Sequence, residues 1–285
     1  MRVPWLPLFV PNKVLLPYSE NMSFFQTLAN FISAFVLSLA IPEPPTEIIN
    51  KYQQYGSFGS VEELMSRSVL WLYPMDSFIL DYPRPLIPNV VEVGGLTVKP
   101  ATGKLPPDIR KFIDDAEKGV ILMTFGTIVS VYPVTAAKKY LSAFHRLNGY
   151  KVIWKMRNKD ELNIPDNVII SHWVPQNDIL AHPKVKLFIT HCGNNGQYKA
   201  VYHAVPMIGF PISGDQMYNS KRLDHKGYSL LMDLHGFTAD QLFENIYKIL
   251  GDELYKKRIA KASKIFRSQA QSLVERVTFW IEHVC

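Results

Sequence analysis

A histidine followed by glycine and asparagine residues stands directly after an apolar run in the second half of the chain. His191 directly follows that run, and Gly193 and Gly196 come after it. Glycine allows close approach of the backbone to a ligand, and the free N–H groups at the start of a helix favour an anion. His191 can donate a hydrogen bond to a phosphate oxygen. This spacing indicates a site for a phosphorylated ligand, with an ordinary tight turn as the alternative.

An acidic and an amide side chain, Asp215 and Gln216, follow the next apolar run of the sequence. A carboxylate accepts hydrogen bonds, whereas an amide side chain both donates and accepts them. The pair therefore suits the hydroxyl groups of a sugar. Two neighbouring segments thus point to a ligand that combines an anionic group with hydroxyl groups.

The elements that must position these residues alternate between strand and helix from residue 119 onward. Apolar runs predict strands at 119–125, 151–155, 168–171, 186–190 and 207–210, and the segments around them predict helices at 134–148, 195–204, 239–250 and, for the most part, 254–284. Continuous apolar strands separated by helices predict an α/β fold, a doubly wound parallel sheet with helices on both faces. Ligands of such sheets bind beyond the carboxyl ends of the strands. The residues at those ends are Gly126, Trp173, His191 and residues 210–216.

The first third of the chain has a different pattern. Residues 24–41 form an apolar stretch that polar side chains interrupt and Pro42 ends. This pattern predicts a buried or amphipathic helix, with a membrane span as the alternative. Short strands are predicted at 68–73 and 90–93, and the Pro-, Gly- and Lys-rich segment 99–107 is typical of a linker.

Charge and cysteine content narrow the class of partner. The chain has 285 residues and a formal net charge of +6, and its two cysteines, Cys192 and Cys285, give neither a metal-ligand spacing nor a disulfide framework. Residues 1–97 contain 5 Lys/Arg and 8 Asp/Glu, whereas residues 98–285 contain 26 and 17. A basic half suggests an anionic partner, either nucleic acid or a phosphorylated small molecule, with a solvated basic face as the alternative.

The residues at the strand ends resemble the signature of a known family. The order Thr190-His191-x-Gly193, Asn195-Gly196, His203-x-x-Pro206, Pro211 and Asp215-Gln216 is similar to that of the UDP-glycosyltransferases, most closely their animal UDP-glucuronosyltransferase branch. Further similar segments lie at residues 81–95, 124–127, 173–183 and 279–282. The resemblance implies a GT-B fold of two Rossmann-like domains, of which the N-terminal one is expected to be incomplete here.

The same resemblance implies a domain organisation. It places the C-terminal part of an acceptor-binding domain at residues 1–97, a linker at 98–118 and a donor-binding domain for a UDP-sugar at 119–265. Residues 266–285 are expected to form a C-terminal helix that returns to the acceptor domain.

Roles for individual residues also follow from the resemblance. Trp173 is expected to stack on the uracil, with Gln176 near the polar edge of the base; a core position is the alternative for Trp173. Asp215 and Gln216 are expected to hold the sugar. The diphosphate is assigned to His191, Asn195, Gly196 and the Gly126-Thr127 turn, and Gly193 completes the donor-binding set. No metal and no cofactor is implied.

Two positions depart from the pattern of the family. Lys199 stands where the family has a glutamate that accepts hydrogen bonds from both ribose hydroxyls, and lysine has only donors. We therefore expect weakened donor binding or an altered nucleotide preference, with a harmless change at the mouth of the site as the alternative. Cys192 stands where the family usually has glycine and is expected to be tolerated.

Other polar residues near these segments are expected to have structural or solvent roles. His203 and Pro206 are predicted to pack, because His203 lies a helix length away from the end of the strand. Lys184, Lys186 and the basic run 256–258 are predicted to be solvated.

The reaction implied is transfer of a hexose from a UDP-sugar to a small lipophilic acceptor by displacement with inversion. In the family, a histidine of the acceptor domain, oriented by an aspartate, deprotonates the acceptor hydroxyl. No histidine precedes His145 in this sequence, so the chain is expected to lack that base and no catalytic residue is assigned. A non-catalytic homologue that binds a UDP-sugar or modulates full-length relatives is the alternative.

The donor is expected to be UDP-glucuronate or UDP-glucose, and Gln216 suits either sugar. A homo- or hetero-oligomer is compatible with the resemblance, whereas nucleic acid is not an expected partner because the sequence has no nucleic-acid-binding motif. The family works in the endoplasmic reticulum, at its membrane or in its lumen. The sequence shows no clear signal peptide or anchor, so a cytosolic location is the alternative.

Overall fold

The computed structural model describes residues 6–8, 10–12, 16, 18–39, 45–56, 60–127 and 129–284. The chain divides into two units, one of residues 1–96 with 271–285 and the other of residues 97–270. The first unit contains the apolar helix and a small sheet. The second contains the strands that were predicted to position the site.

The first unit pairs two short strands with helices from both ends of the chain. Its described elements are α1 (Phe24–Leu39), α2 (Thr46–Gln53), α3 (Val61–Ser66), β1 (Trp71–Tyr73), β2 (Val90–Glu92) and α11 (Leu273–Val284). β1 and β2 run parallel, with Trp71 opposite Val90. The strand predicted at 68–73 is therefore shorter than expected, because its first three residues precede the paired segment.

Helix α1 turns a polar residue toward the protein. Asn30 is fully buried, and its Nδ2 donates to the carbonyl oxygens of Pro7 at 2.7 Å and Val10 at 2.9 Å. The exposed large apolar side chains of α1 are Phe24, Phe25, Leu28, Phe31, Ile32, Phe35 and Val36. The predicted helix is confirmed over the described residues, and the last two predicted positions lie outside them. No helix among the described residues combines the length and the apolar character that crossing a membrane requires.

The second unit is an α/β sandwich around a parallel sheet. Its strands are β3 (Gly119–Thr124), β4 (Tyr150–Lys155), β5 (Val168–Ser171), β6 (Val185–Thr190), β7 (Met207–Gly209) and β8 (Ser229–Leu231), in the spatial order β5-β4-β3-β6-β7-β8. Its described helices are α4 (Pro107–Asp114), α5 (Val134–His145), α6 (Gln176–Ala181), α7 (Asn194–Tyr202), α8 (Gln216–His225), α9 (Ala239–Gly251) and α10 (Glu253–Arg267). Every neighbouring pair of strands is parallel, which confirms the predicted fold class. The strand order reverses between β3 and β6, and ligands of such sheets bind at that point.

Some elements were not predicted from the sequence. α8 is rich in polar residues and β8 has three residues, so neither gives a periodic apolar signal. α4 lies inside the predicted linker, where Ile109 and Ile113 are buried. The helix predicted over 254–284 is two helices, because α11 starts anew at a capping box: the backbone N–H of Ser272 donates to the Glu275 carboxylate, and the backbone N–H of Glu275 donates to the Ser272 hydroxyl.

Aromatic rings pack beneath the carboxyl ends of the strands. The Tyr140 ring centroid lies 5.5 Å from Trp154, 5.6 Å from Phe210 and 4.7 Å from Phe237. All four residues are buried, and burial raises the pKa of Tyr140 far above its usual range. This neutral, densely packed cluster supports the strand ends from which the candidate site residues project.

Candidate functional site

A cavity of about 440 Å³ opens at the carboxyl ends of β3 and β6, at the point where the strand order reverses. Every predicted donor-binding residue except Trp173 lines it: Gly126, Thr127, Gln176, His191, Gly193, Asn195, Gly196, Asp215 and Gln216. Lys199 also lines the cavity. The fold therefore brings together residues that are up to 90 positions apart in the sequence, from Gly126 to Gln216.

His191 is held between two glycines at the end of β6. A Cβ atom on Gly126 would lie 3.0 Å from the Cε1 and Nε2 atoms of His191, and one on Gly193 would lie closer still. Glycine at both positions therefore leaves the space that the imidazole ring occupies. Burial lowers the pKa of His191. The negative charge of Asp215 raises this pKa, and the positive charge of Lys155 lowers it, so the net shift is downward. The imidazole is thus neutral at pH 7 and has one N–H group to donate.

The first turn of α7 forms an anion-favouring wall of the cavity. Gly193 occupies the N-cap position and has no side chain to cap the helix. Gly193, Asn194 and Asn195 all line the cavity, so the positive end of the helix dipole faces it. Lys155 adds a nearby cation, because its Nζ donates to the carbonyl oxygen of Gly126 at 2.8 Å.

The start of α8 presents an acceptor and a donor to the same cavity. The Oε1 atom of Gln216 accepts from the backbone N–H groups of Ile212 at 2.8 Å and Ser213 at 3.2 Å. Its amide NH₂ group is thereby turned away from these bonds and can donate to a ligand. Asp215 Oδ2 accepts from Asn219 Nδ2 at 2.9 Å, which orients the carboxylate and keeps its other oxygen as an acceptor.

A buried arginine joins the two helix starts. Arg222 is fully buried, and its Nη2 donates to Gln197 Oε1 at 2.9 Å and to Asn219 Oδ1 at 3.2 Å. Gln197 in turn donates to Asn194 Oδ1 at 3.0 Å. Sequence reasoning missed these residues, because a buried polar side chain in a helix leaves no periodic signal. We call Arg222, Gln197, Asn219 and Asn194 the arginine network.

Lys199 lies beside a segment that precedes α4. Burial, followed by the charge of Lys99, lowers the pKa of Lys199. Asn177 Nδ2 holds that segment by donating to the carbonyl oxygen of Lys99 at 3.1 Å, and Thr97 Oγ1 donates to Asn195 Oδ1 at 3.2 Å. The charge of Lys99 therefore acts on Lys199, which lines the cavity.

The same segment is bound at a second point, by α6. Asp178 Oδ1 accepts from the Thr102 hydroxyl at 2.7 Å and from the backbone N–H of Gly103 at 3.2 Å. His203 Nε2 lies 3.2 Å from Asn177 Oδ1, and burial lowers the pKa of His203 to about 4. His203 is therefore a neutral structural residue that supports Asn177. We call residues 97–104, held in this way, the clamped segment.

Trp173 lies outside the lining of the cavity. Its side chain is 64% exposed, so it is not a core residue. Gln176, three residues later at the start of α6, does line the cavity. Stacking of Trp173 on a base stays a prediction.

Cys192 occupies a buried, strained position directly behind the cavity. Its φ angle is 64°, in the left-handed region that favours glycine. Burial raises the pKa of its thiol far above the usual range, so the thiol is neutral. Among the described residues, no group of three His, Cys, Asp or Glu side chains could hold a metal ion.

Comparisons with known proteins agree with this architecture. A UDP-glucosyltransferase 2 from Dactylopius coccus is 37% identical over 275 residues, which cover 94% of this chain and 52% of the relative. Human UDP-glucuronosyltransferase 1A5 is 31% identical over 281 residues, which cover 97% and 51%. The chain thus spans about half the length of these curated relatives. The solved structure of spinosyn forosaminyltransferase SpnP superimposes with a TM-score of 0.64 at 17% identity, covering 79% of this chain and 58% of that one.

The family-level match extends along nearly the whole sequence. A family model described as "UDP-glucoronosyl and UDP-glucosyl transferase" matches residues 2–285. Together with the parallel sheet and the structural neighbour, this match confirms the GT-B fold and the resemblance seen at the strand ends. The chain therefore belongs to the UDP-glucuronosyl and UDP-glucosyl transferase family, whose members are UDP-sugar glycosyltransferases.

Proposed function

We propose that this chain binds a UDP-sugar in the 440 Å³ cavity and presents it for transfer to a hydroxyl group of a small lipophilic acceptor. One observation carries the proposal: the anion-favouring start of α7 and the Asp215-Gln216 pair line the same cavity. The diphosphate would lie against α7 and His191. The sugar would lie against Asp215 and Gln216, and the uracil would reach Gln176 and Trp173.

The geometry suits displacement with inversion. The acceptor oxygen would form a bond to the anomeric carbon as the bond to the diphosphate oxygen breaks, and UDP would leave with the bonding electron pair. Charge then grows on the diphosphate, where the α7 dipole and the His191 N–H group can stabilise it. Asp215 and Gln216 would fix the sugar by accepting from and donating to its hydroxyl groups. The acceptor proton would pass to a base from the acceptor side.

A second candidate is donor binding without transfer. Residues 1–144 contain no histidine, and His191, the histidine that lines the cavity, belongs to the diphosphate side. Both candidates require the donor to bind, and only the first requires release of UDP in the presence of an acceptor. Donor identity (UDP-glucuronate or UDP-glucose), oligomerisation and a location in the endoplasmic reticulum are further expectations drawn from the family.

Calorimetric titration of the full chain tests the proposal. We expect one equivalent of UDP and of UDP-glucose or UDP-glucuronate to bind, and Asp215→Asn to weaken UDP-sugar binding by roughly tenfold while UDP binding changes little. Asp240→Asn is the matched control, because Asp240 is an exposed partner of Arg146 outside the cavity. Absence of UDP binding to the wild-type chain contradicts the proposal. UDP release with phenolic acceptors then separates the two candidates: release supports transfer, and binding without release supports the second.

Lys199 gives a further prediction about donor affinity. We expect Lys199→Glu to bind UDP roughly tenfold more tightly than the wild type, because a carboxylate can accept from two ribose hydroxyls and would also neutralise Lys99. Lys199→Gln separates loss of the positive charge from gain of a bidentate acceptor. Equal UDP affinities of the wild type and Lys199→Glu in the same titration would show that Lys199 does not affect donor binding.

A further inference from the structure

A second cavity, of about 290 Å³, lies at the opposite edge of the sheet, where β3, β4 and β6 begin. Lysines and apolar residues line it, among them Lys118, Lys186, Lys256, Ile249 and Leu250. It shares no lining residue with the donor cavity among the described residues. We call it the lysine cavity.

Two of its ammonium groups are fixed by the backbone. Lys186 Nζ donates to the carbonyl oxygen of Pro183 at 2.9 Å, and Lys256 Nζ donates to that of Ala204 at 2.6 Å. Both lysines are exposed, as predicted, and the structure adds carbonyl acceptors from distant turns that the pattern of the sequence does not reveal. An ammonium group has three donors, so each retains N–H groups for a ligand.

The cations of the lysine cavity lack neutralising partners. Within the part of the chain that the structure describes, Lys118, Lys186 and Lys256 form no ion pair with a carboxylate, although Lys151 nearby pairs with Asp115 at 3.9 Å. Partial burial lowers the pKa of Lys256, and the charge of Lys186 lowers it further. The two ammonium groups are therefore close enough to repel each other, and an anion between them would relieve that repulsion.

The acidic residues of the wall are engaged elsewhere. Asp252 Oδ1 accepts from the backbone N–H of Leu254 at 2.9 Å and so caps α10. Glu253 pairs with Lys257 at 2.6 Å on the exposed side of the helix. α10 begins in this wall with its positive end capped by the Asp252 carboxylate, so the positive charge of the cavity comes from the lysines.

We propose that the lysine cavity binds a phosphomonoester group carried on an apolar or aromatic body. The dianion has three terminal oxygens that can accept from ammonium groups, and the cavity is lined by three lysines, which act as point charges toward phosphate. The body would pack against Tyr150, Ile249 and Leu250. A soluble phosphate ester and the headgroup of a phosphatidate lipid share this chemistry. The proposal is independent of the donor site, because the two cavities lie at opposite edges of the sheet.

Phenyl phosphate is a suitable probe in calorimetric titration of the full chain, with saturating UDP present to occupy the donor cavity. We expect phenyl phosphate to bind the wild type more tightly than inorganic phosphate does, and the double variant Lys186→Gln/Lys256→Gln to lose roughly tenfold or more in affinity. The matched control is Lys261→Gln/Lys264→Gln, which removes two exposed lysines of the same helix, α10, outside the cavity. UDP affinity should be the same in all three proteins.

Each outcome decides the proposal. Equal phenyl phosphate affinity in the two double variants, or complete displacement of phenyl phosphate by UDP, would overturn it. If the chain binds no UDP at all, the comparison between the two double variants still tests the lysine cavity, and only the proposed function fails. Sedimentation with phosphatidylcholine vesicles that contain phosphatidate then identifies the source: lysine-dependent sedimentation indicates a lipid headgroup, and its absence alongside phenyl phosphate binding indicates a soluble ester.

Discussion

Replacement of Arg222 by methionine is expected to destabilise the second unit by about 3 kcal/mol and to weaken UDP binding by roughly tenfold. Methionine fills part of the volume but donates no hydrogen bond, so Gln197 Oε1 and Asn219 Oδ1 would be buried without the donor that now serves them. Asn219 orients Asp215, and Gln197 orients Asn194. Loss of the arginine network should therefore reach both walls of the donor cavity.

Lys221→Met is the matched control for this prediction. It removes the same charge from the preceding residue of α8, and Lys221 takes no part in the arginine network. Urea unfolding followed by circular dichroism gives the stability of each variant, and calorimetry gives the UDP affinity. An Arg222→Met protein with the stability and affinity of Lys221→Met would show that the arginine network has no positioning role.

Gly209→Ala is expected to cost about 3 kcal/mol of folding stability, at the upper end of the range for overpacking a core. A Cβ atom at Gly209 would lie 2.5 Å from Cys192 Sγ, and the closest other contact is 3.7 Å away at Ser220 Cβ. The thiol cannot move aside easily, because Cys192 is fully buried and its backbone is fixed at a positive φ. Gly251→Ala is the control, since nothing lies within 4 Å of a Cβ at that helical position.

A double-mutant cycle isolates the cause of that loss. Cys192→Gly removes the sulfur and suits the left-handed backbone, so its own effect should be small, within about 1 kcal/mol. In the Cys192→Gly background, Gly209→Ala should then cost at least about 2 kcal/mol less than in the wild type. Additive effects in urea unfolding would show that the contact with Sγ is not the source of the loss.

The sequence was sufficient to predict five of the six strands of the sheet and most of the lining of the donor cavity. The runs before Gly126, His191 and residue 211 are continuous and apolar, and such runs occur in buried parallel strands. Their carboxyl ends meet at one edge, so the residues that follow them had to lie together. His191 and Asp215 were predicted on that basis, and the structure places both in one cavity.

What the sequence did not reveal depends on tertiary hydrogen bonds. Arg222 and Asn219 have the residue types of an exposed helix face, but tertiary packing buries both, and Arg222 bonds to Gln197 of α7. The hydrogen bond of Lys256 was not predictable either, because its acceptor is a carbonyl oxygen 52 residues away in the sequence. Hydrophobic periodicity reports burial of apolar side chains and is silent on polar groups whose partners come from other elements.

The clamped segment determines where a junction can be placed in a chimera of this chain and a relative. Residues 97–104 are bound to α6 through Asn177 and Asp178 and to α7 through Asn195, so they belong to the second unit although their composition is that of a connector. In a chimera joined within 98–118, part or all of the clamped segment would come from one parent, and α6 and α7 would come from the other. A junction ahead of Thr97 keeps these contacts within one parent, because both partners of each hydrogen bond then come from the same sequence.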